Sequence, residues 1–154
     1  MAKATRKRSK KFCYEYPRPA VTVDIVLFHR FQRGLQVLLI KRGKEPFKGL
    51  WAFPGGFVDE NEALEDAAAR ELREETGLSD IKLEQISAFG DPGRDPRGHT
   101  ISVAFAAVLN EPRDARAADD ASDVQWHSAR RPPKLAFDHR KILKIALKRV
   151  MDSV

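Results

Sequence analysis

Residues 56–78, GFVDENEALEDAAARELREETGL, decide the reading of this chain. Leu64, Ala67, Ala68 and Leu72 recur at three- and four-residue spacing, which predicts a helix from about Ala63 to Thr76 with one apolar stripe. Gly77 follows as the expected C-terminal stop. The opposite face carries Glu71, Glu74 and Glu75 at i, i+3 and i+4, so three like charges stand together and repel. Such a face is either solvated, as on many amphipathic helices, or compensated by a cation. A hard dication suits it, because magnesium takes carboxylate oxygens and keeps its other positions for water and phosphate. Arg70 is placed to orient one of the glutamates through a bidentate contact.

Outward from the helix, Pro54-Gly55-Gly56 reads as a turn that ends a short apolar strand, Trp51 to Phe53, and delivers the chain to the helix. Its free backbone groups can approach an anion and a counter-cation. Upstream, Ala20 to Phe28 and Leu35 to Lys41 are β-branched and apolar and read as a strand pair, with Lys44 to Gly49 as a loop. Downstream, strands are expected at Ile81 to Phe89, Thr100 to Leu109 and around Val124 to His127. A second helix is expected from Asp138 to Met151, with Ile142, Leu143, Ala146, Leu147 and Val150 inward. Strands flank helices without regular alternation, which gives an α/β or α+β chain with a mixed sheet. Trp51 is either a core aromatic or a platform for a base.

Gly56, Glu62 and the run Arg70-Glu71-Leu72-Arg73-Glu74-Glu75-Thr76-Gly77-Leu78 resemble the Nudix box at every position of its pattern. The resemblance extends from about Tyr16 to Ile145. It implies an α/β/α sandwich with a mixed β-sheet and a pyrophosphohydrolase dependent on Mg2+, with Mn2+ as a substitute. By the same resemblance Glu71 and Glu75 are direct metal ligands, the Gly55 carbonyl is a further ligand, and Glu74 is an additional ligand or proton acceptor. Arg70 orients the cluster and Glu62 supports it. Metal ions would bridge the diphosphate, neutralise the leaving phosphate and lower the pKa of an attacking water. Relatives often draw the general base from a loop outside the box, which points to Asp119 and Asp120; these are equally readable as an ordinary polar loop. Many relatives carry Ser or Thr where this chain has Ala63, so the helix cap is expected from Asn61.

Pro92 and the surrounding Gly90-to-His99 segment resemble the ADP-ribose pyrophosphatase branch, which implies ADP-ribose and water as reactants and AMP and ribose 5-phosphate as products. Arg94 and Arg97 offer donors for phosphate or ribose, or simply pair with Asp91 and Asp95. Arg42 is a further substrate-binding candidate. The alternatives are a housecleaning pyrophosphatase for nucleoside triphosphates of the 8-oxo-dGTP type and an ADP-ribose-sensing regulator that does no chemistry. The resemblance leaves a homodimer open.

At 154 residues the chain suits a single domain, read as a basic, disordered arm over 1–15 and one Nudix-like domain over 16–154. The net charge of +6 comes from Lys3, Arg6, Lys7, Arg8, Lys10 and Lys11; without them 22 basic residues face 22 acidic ones. Such a run is most often a solvated tail, so a small-molecule nucleotide is the expected partner and specific nucleic-acid binding is not. No apolar run approaches the roughly 20 residues of a membrane span, and the amino terminus lacks a secretory pattern, which places the expected protein in the cytoplasm. The lone Cys13 is read as a half-buried thiol without a function.

Overall fold

The computed structural model describes residues 11–118 and 120–153; the amino-terminal ten residues of the basic arm, and Asp119, lie outside them. The chain forms β1 (Ala20–Phe31), β2 (Gly34–Arg42), β3 (Trp51–Ala52), β4 (Gly55–Phe57), α1 (Leu64–Thr76), β5 (Glu84–Phe89), β6 (Thr100–Leu109), β7 (Ala121–Ser128) and α2 (His139–Asp152). β1 is the centre of one mixed sheet. It pairs antiparallel with β2 and with β4, and parallel with β6 from Ala20↔Thr100 to His29↔Leu109. β3 and β7 pair with β2, and β5 borders β6.

A central strand buried on both faces must be apolar on both, and β1 obeys this almost throughout. Val23, Ile25 and Leu27 face α1, joining Ala67, Ala68, Leu72 and Phe105. Val26 and Phe28 face α2, joining Phe53, Ile142, Leu143 and Ala146. The sheet is thus covered by one helix on each side. The expected helical stripes face inward as their spacing requires, with Leu147 and Val150 packed at the rim of the α2 core.

Several boundaries differ from those read in the sequence. Gly55–Phe57 is a strand, because Pro54 interrupts the run and the chain then returns alongside β1 at Asp24↔Gly55. The strand expected from Ile81 begins at Glu84, and the one expected at Val124 begins at Ala121, where pairing with Arg42 of β2 holds a polar segment extended. Asn61 does not cap α1. It turns the chain at φ 60°, and Ala63 is the capping position, with no side chain to offer. Gly77 ends the helix at φ 74° and donates its amide to the Arg73 carbonyl at 2.8 Å. Trp51 packs edge-on against His127 at the rim of the α2-side core, which realises its core reading.

Candidate functional site

Arg70 compensates most of the negative face of α1. Its Nε donates to Glu62 at 2.7 Å, and its Nη1 donates to Glu71 at 2.7 Å and Glu74 at 3.2 Å. Nη2 reaches Glu62 and the Phe57 carbonyl, so one guanidinium ties the helix to β4 and to the turn before it. These bonds hold the Glu62 carboxyl at about 2 and raise Arg70 further.

Glu75 is outside that clasp. Its carboxylate accepts the Gly55 amide at 2.9 Å, and burial, reinforced by the charges of Glu71 and Asp24, pushes it up to about 8 against that bond. Burial likewise raises Glu71, with Arg70 opposing. The two adjacent glycines are demanded by this packing. A Cβ on Gly56 would lie 2.5 Å from the Glu71 carboxylate, and one on Gly55 would enter the Val23 carbonyl oxygen and come within 2.9 Å of Asp24. Only a bare backbone admits the sheet edge this close to the helix.

Glu71, Glu75, Gly55 and Gly56 form one wall of a cleft whose other lining includes Arg42, Arg97 and Asp120. Arg42 is tethered through Nε to the Pro46 carbonyl at 2.7 Å, and its guanidinium stands 4.9 Å from the Phe137 ring centre. Arg97 lies 5.6 Å from the same ring and grips Asp95 through Nε and Nη2. Burial, then the nearby charge of Arg97, lowers Arg42, so the pair concentrates positive charge in the cleft that Glu71 and Glu75 also line. Asp120 pairs with Lys44 at 2.5 Å on the same cleft. Glu74 is turned to Arg70 and does not line it. Pro92 is exposed and also lies off it.

Toward the centre of the sheet the cleft continues to a polar floor built from Asp24, Arg94 and His139. Arg94 is almost fully buried and donates Nε and Nη2 to Asp138 at 3.0 and 2.7 Å. Asp91 pairs instead with Lys141. Of the two open pairings, Arg97 with Asp95 is realised and Arg94 with Asp91 is not; Arg94 spans from the loop to the start of α2. His139 Nδ1 accepts the Phe53 amide at 3.1 Å, so its ring proton is on Nε2, which faces Asp24 Oδ1 at 3.3 Å. Ser102 donates to the other oxygen of Asp24. Burial raises Asp24, but His139, Ser102 and Arg94 outweigh it and hold the carboxyl below its ordinary value.

Sequence reading missed Asp24, Asp138 and His139 as a unit. The one available signal was Asp24 itself, a carboxylate inside AVTVDIVLF, where a strand buried on both faces has no use for a charge.

A divalent metal suits the helix end of the cleft by donor chemistry. Glu71 and Glu75 are hard oxygen donors, Glu75 being raised by burial first and then by the charge of Glu71, and Gly56 leaves Glu71 its space. Among the described residues no three acidic, histidine or cysteine side chains already converge, since Arg70 draws Glu71 and Glu74 aside and Gly55 holds Glu75.

The chain matches the NUDIX domain family over residues 18–145. It is 42% identical over 143 residues to an ADP-ribose pyrophosphatase of Methanocaldococcus jannaschii, covering 92% of this chain and 81% of that protein. It is 38% identical over 140 residues to the ADPR responsive transcriptional repressor NtrR of Acinetobacter baylyi, covering 88% of this chain but 56% of the repressor. The NUDIX domain of Shewanella oneidensis NrtR, solved in complex with ADP ribose, superposes with a TM-score of 0.79 at 35% identity, covering 88% of this chain and 90% of that one.

Proposed function

This chain belongs to the Nudix family and is a Nudix hydrolase, and from that premise we propose that it cleaves ADP-ribose to AMP and ribose 5-phosphate. The observation that carries the substrate is the 42% identity to an ADP-ribose pyrophosphatase across 92% of the chain. The geometry supports it with a single cleft lined by Glu71 and Glu75 and also by Arg42 and Arg97, a combination of carboxylates and guanidinium donors suited to a metal-bound diphosphate.

In this reading Glu71 and Glu75 hold the metal together with the Gly55 carbonyl, Arg70 fixes the helix carboxylates, and Arg42 and Arg97 bind the phosphates. Mg2+, or Mn2+ in its place, supplies charge neutralisation and acidifies water when bound. Water oxygen adds to one phosphorus, the anhydride P–O bond breaks, and its electron pair leaves on the other phosphate. Asp120 accepts the water proton. The cleft favours Asp120 over Glu74 for this step, because Glu74 points away to Arg70. Arg94 serves as a strut through Asp138 and does not bind phosphate.

The similarity to NtrR favours a second reading, a sensor that binds ADP-ribose without cleaving it. The retained carboxylates Glu71, Glu74 and Glu75 speak for chemistry. Turnover of ADP-ribose and 8-oxo-dGTP with Mg2+, followed by phosphate-coupled assay and product chromatography, separates the readings. AMP and ribose 5-phosphate from ADP-ribose are expected; preferred hydrolysis of 8-oxo-dGTP overturns the substrate, and binding without cleavage favours the sensor.

A further inference from the structure

The floor of the cleft holds a carboxylate that the proposed reaction does not use. Asp24 stands in β1 between Val23 and Ile25, both fully buried, and on the side toward α2, where Val26 and Phe28 are apolar. A buried charge there works against folding unless it is compensated, and an apolar side chain would serve the core better. Its partners leave it incomplete. Ser102 donates to one oxygen, His139 Nε2 to the other at 3.3 Å, and the nearest Arg94 nitrogen is 4.0 Å away and committed to Asp138. An ionised carboxylate offers about four acceptor positions, so roughly two remain on an atom pair that lines the cleft beside Arg42 and Gly55.

The orientation of this acceptor is fixed. His139 cannot reverse its role without losing the Phe53 amide, and Ser102 holds the second oxygen. Gly55 separates Asp24 from the glutamates, since its amide meets Glu75 while its Cα face lies against the Asp24 carboxylate. The acceptor therefore neighbours the place of the diphosphate. A carboxylate repels a further phosphate and accepts hydrogen bonds from hydroxyl groups. Resting on the ADP-ribose reading above, we propose that Asp24 accepts hydrogen bonds from hydroxyls of the ribose that does not carry the base, and thereby selects a sugar diphosphate over a nucleoside triphosphate.

The test compares ADP-ribose with the ADP ester of tetrahydrofurfuryl alcohol, which keeps the ring and lacks its hydroxyls, on the wild type, Asp24→Asn and Ser102→Ala. The wild type is expected to prefer ADP-ribose in kcat/KM by about 10- to 100-fold, the range of a hydrogen bond to a charged group. Asp24→Asn should reduce that preference to about threefold or less, and Ser102→Ala should reduce it partly. Ser102→Ala carries the test if Asp24→Asn does not fold by circular dichroism. Calorimetric titration of both ligands in Ca2+ reads the same preference without turnover. Undiminished preference in the variants, or equal affinity of the wild type for both ligands, overturns the inference. If ADP-ribose is cleaved but the variants keep the preference, only this inference fails; if it is bound with an Asp24-dependent preference and never cleaved, only the hydrolytic reading fails.

Discussion

The two ends of the cleft were encoded in different ways. The glutamate face of α1 lies within six consecutive residues, Arg70 to Glu75, and helical geometry alone places its charges side by side. The floor is assembled from β1, β6, the Arg94 loop and the start of α2, with Asp24 and His139 separated by more than a hundred residues. A local period can be read off a sequence; a contact created by parallel pairing of β1 with β6 and by the docking of α2 cannot. The first region is built around clustered carboxylates, with Glu62, Glu71 and Glu74 clasped by Arg70 and Glu75 left outside that clasp. The second holds one buried carboxylate between Ser102 and His139, with Arg94 committed to Asp138.

That contrast should appear most strongly when each end is damaged. Glu75→Gln should lower kcat by about 10³-fold or more with ADP-ribose and Mg2+, since a metal supplies several kcal/mol of charge stabilisation, yet leave the folded state intact. His139→Ala should do the reverse in emphasis. It orphans the Phe53 amide and exposes a cavity beside Asp24, and urea unfolding should register a loss of about 2–4 kcal/mol. Equal thermodynamic damage from both substitutions would erase the distinction between the two regions.

Gly56→Ala tests how tightly the acidic end is built. Its Cβ would lie 2.5 Å from Glu71, so the carboxylate must move, at a cost of about 1–3 kcal/mol and with weakened Mn2+ binding by electron paramagnetic resonance.

A pH titration sharpens the comparison further. Glu75 is raised to about 8 in the folded chain against an ordinary value of 4.5, so the folded state holds its proton more firmly than the unfolded one. Metal-free stability from this group is fully present below about pH 4.5 and is lost as pH rises toward 8. Asp24 is lowered, so its contribution has the opposite sign and is lost as pH falls through its folded value in acid. Metal-free unfolding curves from pH 5 to 8 should fall in the wild type and flatten in Glu75→Gln, a difference of about 1–3 kcal/mol. The smallest expected effect lies outside both regions: Ala63→Ser supplies the missing cap of α1 and should add about 0.5–1 kcal/mol to stability in the same unfolding assay.

Much of the fold was legible for the same local reasons as α1. The apolar periods of β1, β6 and both helices were sufficient, and the limits Thr100 and Leu109 of β6 coincide with its reading. β4 was not legible, because three residues after a proline carry no period and become a strand only by meeting β1. Asn61 misled for a related reason. A cap requires backbone geometry as well as residue type, and here the turn through Asp59 and Glu62 places Asn61 two residues too early. Within the cleft, Arg42, Arg97 and Asp120 lie where a substrate could meet them, whereas Arg94 is spent on Asp138, a partner that no sequence spacing announces.

The most direct test of the account is the chromatographic product profile of ADP-ribose incubated with the wild-type chain and Mg2+, beside Glu75→Gln. Equimolar AMP and ribose 5-phosphate from the wild type, and almost none from the variant, is the expected result. Intact ADP-ribose in both reactions, or equal product from both, would contradict it.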